Sequence, residues 1–170
     1  MKLHKFTTRY CQYQDRLCID GQAASGDILS LWLTHRLMRN LLPELIKLIT
    51  PVTEGASHSD TLAQWELAHA QANQKVDTPV EVPSHTETES PSTNSLISSV
   101  NMSSTAQQVL MTFSTTQSQV ATIEFSPDHI RQWVSILYRT WRSTGWTTEV
   151  FPTWMQETES PALSANIVMH

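Results

Sequence analysis

The stretch Val120-Ala121-Thr122-Ile123-Glu124-Phe125-Ser126-Pro127-Asp128 decides the fold class, because it passes from a strand pattern directly into a helix start. Its first six residues alternate with the period of two that is typical of a strand. Ser126 offers a capping hydroxyl, while Pro127 and Asp128 suit a first helical turn. Apolar residues then recur at helical spacing until Gly145, which ends the predicted helix: Ile130, Trp133, Val134, Leu137, Tyr138 and Trp141.

Two hairpins are predicted on the same grounds. Residues 109–114 alternate like 120–125, and the polar residues 115–119 connect them. Near the start of the chain, residues 5–10 and 16–21 alternate on either side of a polar turn. The predicted register pairs Gln12 with Asp15, Cys11 with Arg16, and Arg9 with Cys18. Cys11 and Cys18 are then diagonal neighbours, roughly 7 to 8 Å apart and beyond disulfide reach, so both are expected to be reduced.

A long helix is predicted from about residue 28 to residue 49, with Ser25 or Asp27 as its cap. Pro43 is expected to kink this helix or to begin a second one. Apolar side chains lie on more than one side of it, which leaves two interpretations: a broadly buried core helix, or a contact for a partner or a second copy. The expected partner-binding residues are Leu31, Met38, Leu41 and Leu45.

The order strand, strand, helix thus occurs twice, in residues 1–51 and 108–156. Leu31-Trp32-Leu33-Thr34 in the first predicted helix resembles Gln132-Trp133-Val134-Ser135 in the second. The predicted fold class is α+β, in which both units form one domain with a small antiparallel sheet of about four strands, covered on one face by two long helices. An aromatic tail is expected to pack back on the core: Trp146, Val150, Phe151, Trp154 and Met155.

The centre of the chain has a different composition. Ser, Thr, Glu, Asn and Pro dominate residues 52–107, which predicts a mostly flexible linker with a possible short helix at 61–75. Residues from about 77 to 104 are expected to lack regular structure, because they contain too little apolar surface to offset backbone ordering. Residues 157–170 are expected to form a flexible C-terminus.

The composition favours some partners over others. A net charge of −5 and an isoelectric point near 5.7 disfavour nucleic-acid binding unless the cations gather on one face. No signal-peptide pattern is found, and no apolar run reaches the roughly 18 residues of a membrane span, so a cytoplasmic protein without a membrane partner is expected.

Patterns that carry chemistry were not found. The four glycines form no phosphate-binding or nucleophile-elbow motif, and the seven histidines and two cysteines match no metal-ligand spacing. The sequence therefore predicts no catalytic residue, no cofactor and no metal site.

Three functional hypotheses follow. The first is a non-catalytic accessory or assembly protein that binds a protein partner or its own copy through the first helix or a sheet edge. The second is a small-ligand-binding domain or an enzyme with its site between sheet and helices. The third is single-stranded nucleic-acid binding, which requires one contiguous exposed face formed by Lys5, Arg9, Arg16, Arg131, Arg139 and Arg142.

Overall fold

The computed structural model describes residues 1–50, 67, 93–105 and 107–158, and it confirms a mixed α+β fold. The strands are β1 (Lys2–Cys11), β2 (Arg16–Ala23), β3 (Ile28–Thr34), β4 (Thr93–Leu96), β5 (Ser99–Ser104), β6 (Val109–Ser114) and β7 (Gln119–Phe125). The helices are α1 (His35–Ile49), α2 (Pro127–Arg142) and the short α3 (Thr153–Thr158). The described strands form one seven-stranded sheet, which is larger than the small sheet that the sequence predicted.

The first hairpin has the predicted register. Cys11 pairs with Arg16, and Arg9 pairs with Cys18. Asp15 adopts a φ of 51° in the turn, a conformation that aspartate tolerates better than most residues. Cys11 and Cys18 are free cysteines.

The predicted start of the first helix is wrong by a whole strand. Residues 28–34 form β3, in which Leu29, Leu31 and Leu33 are buried on one face. The helix begins only at His35, after Thr34, whose hydroxyl accepts a hydrogen bond from the Leu37 N–H at 3.2 Å. The run of apolar residues fits both a strand and a helix, and no turn residue separates the two elements, so periodicity alone did not distinguish them.

The second half confirms the hairpin of β6 and β7 and the helix that follows it. Ser126 caps α2 by accepting a hydrogen bond from the His129 N–H at 3.3 Å, and Pro127 occupies the first turn. The aromatic tail also packs on the core as predicted, with Phe151 and Met155 at most 5% exposed.

The predicted linker is corrected at its C-terminal end, because residues 93–96 and 99–104 form β4 and β5. These strands have few apolar residues, and their backbones are paired with β3 and β6 instead. Strand formation here depends on distant partners that local composition does not reveal. Of the predicted helix at 61–75 only Leu67 is described, and it is helical. The other predicted linker residues before 93, and the C-terminus beyond 158, lie outside the described residues.

The chain contains an internal repeat of three strands and a helix. The helix caps Thr34 and Ser126 are 92 residues apart. The same spacing relates the strand pairings: Leu17 pairs with Leu33, and 92 residues later Val109 pairs with Phe125. Each half thus contains its two predicted strands followed by a helix; the strands that the sequence did not predict are β3 in the first half and β4 and β5 in the second. The match between Leu31–Thr34 and Gln132–Ser135 is wrong, because the first segment is a strand whose equivalent is Ile123–Ser126.

The sheet is mixed rather than antiparallel. β1 runs parallel to β7 with Leu3 beside Ile123, and β4 runs parallel to β3 with Ser95 beside Leu31. These two contacts are also equivalent at the spacing of 92 residues, because Leu3 corresponds to Ser95 and Leu31 to Ile123. Hairpins enforce antiparallel pairing only within each half, and the parallel pairs form where the two halves meet.

The sheet also closes on itself. β4 and β5 lie at opposite ends of the strand order β4-β3-β2-β1-β7-β6-β5, yet only Ile97 and Ser98 connect them. Three residue steps span at most about 11 Å, whereas six strand spacings in a flat sheet span about 29 Å. The Ile97 N–H donates to the Trp32 carbonyl and the Ser98 N–H to that of Ser114, both at 2.9 Å. The strands therefore form a ring whose edges meet at residues 97 and 98.

The long helices pack on one face of this ring. α2 contacts β1 and β7, while α1 contacts β3 and α2. The Trp133 ring stacks on Phe125 with centroids 5.1 Å apart, which anchors α2 to β7. None of the helices in the described part of the chain is long and apolar enough to cross a membrane.

Candidate functional site

The face of β1–β4 that points away from the long helices carries the candidate site. Phe6 and Thr8 face α2, because the Phe6 ring lies 6.1 Å from that of Trp133 and the Trp133 indole donates to Thr8 Oγ1 at 3.0 Å. Side chains alternate along a strand, so their neighbours point to the opposite face, here called the outer face. Two neighbouring rows of residues cross the strands on this face. One consists of Thr7, Asp20, Ser30 and Asn94, and the next consists of Arg9, Cys18, Trp32 and Leu96.

Asp20 is the centre of a hydrogen-bond cluster on the outer face. Its side chain is 6% exposed, although a sheet face opposite the packed helices usually carries solvated side chains. Arg9 Nε donates to Asp20 Oδ2 at 2.5 Å, and the Ser30 hydroxyl donates to Oδ1 at 2.5 Å. The Cys18 thiol donates to the same Oδ1 at 3.3 Å. The buried carboxylate thus has a partner for each oxygen.

These contacts fix the protonation states. Burial alone would raise the pKa of Asp20, but the hydrogen bonds from Arg9 and Ser30 and the charge of Arg9 together lower it. The hydrogen bond to Asp20 raises the pKa of Arg9. Burial, followed by the nearby carboxylate, raises the pKa of the Cys18 thiol far above its usual range. Cys18 is therefore a protonated hydrogen-bond donor and a poor nucleophile.

Arg9 connects this buried cluster to the surface. Its side chain is 45% exposed, and its guanidinium carbon lies 5.1 Å from the centroid of the Trp32 ring. The Trp32 indole donates to Asn94 Oδ1 at 3.3 Å, and Leu96, paired with Trp32, is 50% exposed. We call Arg9, Trp32 and Leu96 the outer patch. It consists of a fixed cation, an aromatic ring and an exposed apolar side chain in one row.

The internal repeat shows that the fold does not require this cluster. Core positions of the two halves are apolar in both: Leu17 and Val109, Ile19 and Met111, Leu31 and Ile123, Leu33 and Phe125. The outer-face positions differ: at the spacing of 92 residues, Asp20 corresponds to Thr112, Cys18 to Leu110 and Trp32 to Glu124. Arg9, which pairs with Cys18, corresponds to Ser103, which pairs with Leu110. The second half forms the same three strands without a buried carboxylate, so strand formation in this arrangement does not by itself require a carboxylate at this position.

A second cluster lies where the first hairpin turn, the start of α1 and the loop after α2 meet. Tyr10 and the Trp146 indole donate to Asp15 Oδ1 at 2.7 and 2.8 Å, and the His35 ring stacks on Trp146 at 4.2 Å. The hydrogen bond from Tyr10 is the main cause that lowers the pKa of Asp15, while burial lowers that of His35. These rings pack against one another, so we assign this cluster to holding three segments together.

The predicted partner-binding residues lie in the chain's own core. Leu31 belongs to β3 rather than a helix, and Met38, Leu41 and Leu45 face inward from α1; all four are at most 6% exposed. The apolar surface that suggested a partner contact is therefore covered from within the chain. The helix is shorter than predicted, so α1 carries fewer apolar positions than the predicted helix from 28 to 49.

The contiguous cationic face that single-stranded nucleic-acid binding would require is not assembled. Lys5, Arg9 and Arg16 lie on the outer face, whereas α2, which carries the other three arginines, packs on the opposite side of the sheet. Within residues 1–50, 93–105 and 107–158, no group of three or more His, Cys, Asp and Glu side chains is placed to hold a metal ion.

The proximity of Arg9, Cys18 and Asp20 was already contained in the predicted register, which pairs Arg9 with Cys18. No sequence signal singled out Asp20, because alternation along a strand does not show whether the second face of the sheet is buried. Ser30, Trp32 and Leu96 were assigned to the wrong elements, so no sequence argument brought them to this face. Comparison with known proteins gives no match: no family model, curated protein or solved structure matches the chain.

Proposed function

We propose that this chain is a non-catalytic accessory or assembly protein that binds a protein partner through the outer patch. The observation that carries the proposal is the buried Asp20, which holds Arg9 beside Trp32 at positions where the second half has ordinary side chains. Asp20 and Cys18 are engaged with each other and with Arg9, so they are suited to positioning rather than to proton or group transfer.

The composition of the outer patch supports a protein contact. Tryptophan and arginine are the residues most often found where an interface concentrates its binding energy. Arg9 is held by Asp20 before any partner arrives, which reduces the side-chain entropy that binding would otherwise remove. Leu96 adds an exposed apolar side chain next to the ring. The fixed cation can orient a bound partner, and the flat ring and its apolar neighbour can bury apolar surface of that partner.

A different protein fits this surface better than a second copy of the chain. A two-fold contact between identical outer faces would bring like charges together, since Lys5, Arg9 and Arg16 lie on each face. The alternative of a ligand between sheet and helices lacks support, because core side chains such as Ile123, Phe125 and Trp133 pack there.

Quantitative affinity capture with matched variants tests the proposal. Leu96→Glu places a charge in the outer patch, and Leu48→Glu, at a 38% exposed position on α1, is the matched control. We expect proteins captured by the wild type to be retained by Leu48→Glu and lost with Leu96→Glu, while both variants keep the circular dichroism of the wild type. An unchanged set of captured proteins with Leu96→Glu would refute binding through the outer patch.

A further inference from the structure

We infer that the outer patch recognises an extended acidic segment of the partner, in which a glutamate binds Arg9 and an apolar residue two positions later contacts Trp32 and Leu96. This inference rests on the proposed function and specifies the chemistry of the partner. It follows from the charge of the outer face, the hydrogen bonds of Arg9 and the spacing along the row.

The exposed charges of the outer face are positive. Lys5 and Arg9 are exposed and Arg16 is partly exposed, whereas the carboxylate of Asp20 on the same face is buried and bound to Arg9. The chain as a whole carries a net charge of −5, so this face differs in sign from the average surface. Complementary potentials orient partners during association, and a partner for this face therefore presents acidic groups.

The hydrogen bonds of Arg9 favour a second carboxylate. Asp20 engages the guanidinium through Nε and Nη2, and Cys18 accepts from Nη2 at 3.6 Å. A guanidinium carries five N–H donors in a planar fork. The contacts with Asp20 and Cys18 use Nε–H and the two N–H groups of Nη2, so the two N–H groups of Nη1 can donate to a second carboxylate. A doubly charged phosphate suits this position less well than a carboxylate, because the buried Asp20 anion lies on the other edge of the same group.

The spacing of the row fits an extended peptide that crosses the strands. The Arg9 guanidinium is 5.1 Å from the Trp32 ring, and Leu96 lies one strand further, about 4.8 Å away. Side chains at positions i and i+2 of an extended segment point the same way and are about 7 Å apart. A glutamate at position i can therefore reach Arg9 while a leucine at i+2 lies over Trp32 and Leu96.

Nuclear magnetic resonance of the full chain with a synthetic probe tests this inference. The probe is the peptide acetyl-TETLT-amide, and the control is acetyl-TQTLT-amide, which lacks the carboxylate. We expect the probe to shift the Arg9 Nε–H and Trp32 Nε1–H signals in a saturable way. A charge-assisted hydrogen bond exceeds a neutral one by about 1 kcal/mol, so the control should bind about five-fold more weakly. Equal binding of the two peptides would overturn the inference.

Two variants complete the experiment. Arg9→Lys keeps the charge but lacks the fork and should weaken the probe, whereas Lys5→Gln removes a charge from the same face and should leave the Trp32 shift in place. Absence of Arg9 and Trp32 shifts, with partner capture still lost in Leu96→Glu, would refute the acidic segment and leave the outer patch as the contact. Capture that is unaffected by Leu96→Glu would refute the proposed function itself.

Discussion

Asp20 is a buried anion within a β-strand. Burial removes its hydration, and hydrogen-bond partners must compensate for that loss. The compensating hydrogen bonds come from three strands: Arg9 lies on β1, Cys18 on β2 and Ser30 on β3. The cluster therefore ties three strands together, and its integrity determines where the Arg9 side chain points.

Replacing Asp20 with asparagine tests this at the level of stability. Asp20→Asn removes the charge-assisted hydrogen bonds and should lower the free energy of unfolding by about 2 to 4 kcal/mol at neutral pH, measured by urea denaturation. Because the folded-state pKa of Asp20 is lowered, its contribution is present above the unfolded value of about 3.9 and is lost as pH falls through the folded-state pKa. The variant should therefore lose less stability than the wild type on acidification. A parallel pH dependence in both would contradict the buried pair.

Gly21 gives a second test at this scale. A Cβ built at Gly21 would lie 2.5 Å from Leu3 Cδ1, so the Leu3 side chain must move in Gly21→Ala. Because Leu3 is buried, the change should cost about 1 to 3 kcal/mol in thermal or urea unfolding. The double variant Gly21→Ala with Leu3→Val should be less destabilised than the sum of the single changes, because the shorter side chain makes room. If the stability changes of the two single variants simply added up in the double variant, the side chains at positions 3 and 21 would not be in contact.

For the elements, the three segments joined by the second cluster depend on a neutral His35. Its Nε2 is buried and has no hydrogen-bond partner among the described residues, and the charge of Arg39 adds to burial in lowering its pKa, while Asp15 acts in the opposite direction. Protonation would place a cation between Trp141 and Trp146, next to Arg39. The attachment of the loop after α2 is therefore sensitive to acid.

We expect wild-type stability to fall as pH decreases from about 6.5. A histidine with a lowered folded-state pKa contributes stability above the unfolded pKa, and this contribution is lost as pH falls toward the folded value. His35→Phe should remove part of this dependence in thermal unfolding between pH 7 and pH 5, whereas His129→Gln, at an exposed position on α2, should retain it. Identical profiles for the wild type and His35→Phe would remove the role assigned to His35.

The elements also show how far the sequence was informative. The hairpins and α2 could be predicted because their signals are local: alternation, polar turns, and the cap formed by Ser126 and Pro127. β3 could not, because its leucines fit either period and the helix follows without a turn. β4 and β5 could not, because pairing with β3 and β6 compensates for their polar composition. Within the candidate site, the predicted hairpin register already paired Arg9 with Cys18. Trp32 and Leu96 could not be placed beside them, because the sequence assigned one to a helix and the other to a linker.

For the whole molecule, ring closure depends on the short connection between β4 and β5. Ile97 is 2% exposed and lies where the two edges meet, whereas its neighbour Leu96 is 50% exposed. The same connection thus contains one residue that completes the core and one that contributes to the outer patch.

These neighbours allow a matched comparison. Ile97→Ala should lower the free energy of unfolding by about 2 to 4 kcal/mol, because it leaves a cavity in the core. Leu96→Ala should change it by no more than about 0.5 kcal/mol. Urea denaturation of the two variants measures both values. A similar small effect at both positions would mean that the junction of the edges is not part of the core.

The ring also fixes an order of events during synthesis on the ribosome. When residue 50 has been made, β1, β2 and β3 can pair, but the backbone edges of β1 and β3 have no strands beside them. β3 must wait for residues 93–96, and β1 must wait for residues 122 and 123, near the end of the described chain. The nascent first half thus carries two open strand edges until residues 93–96 are made and one until residues 122 and 123 are made. Until then it depends on continued synthesis to avoid pairing with other molecules.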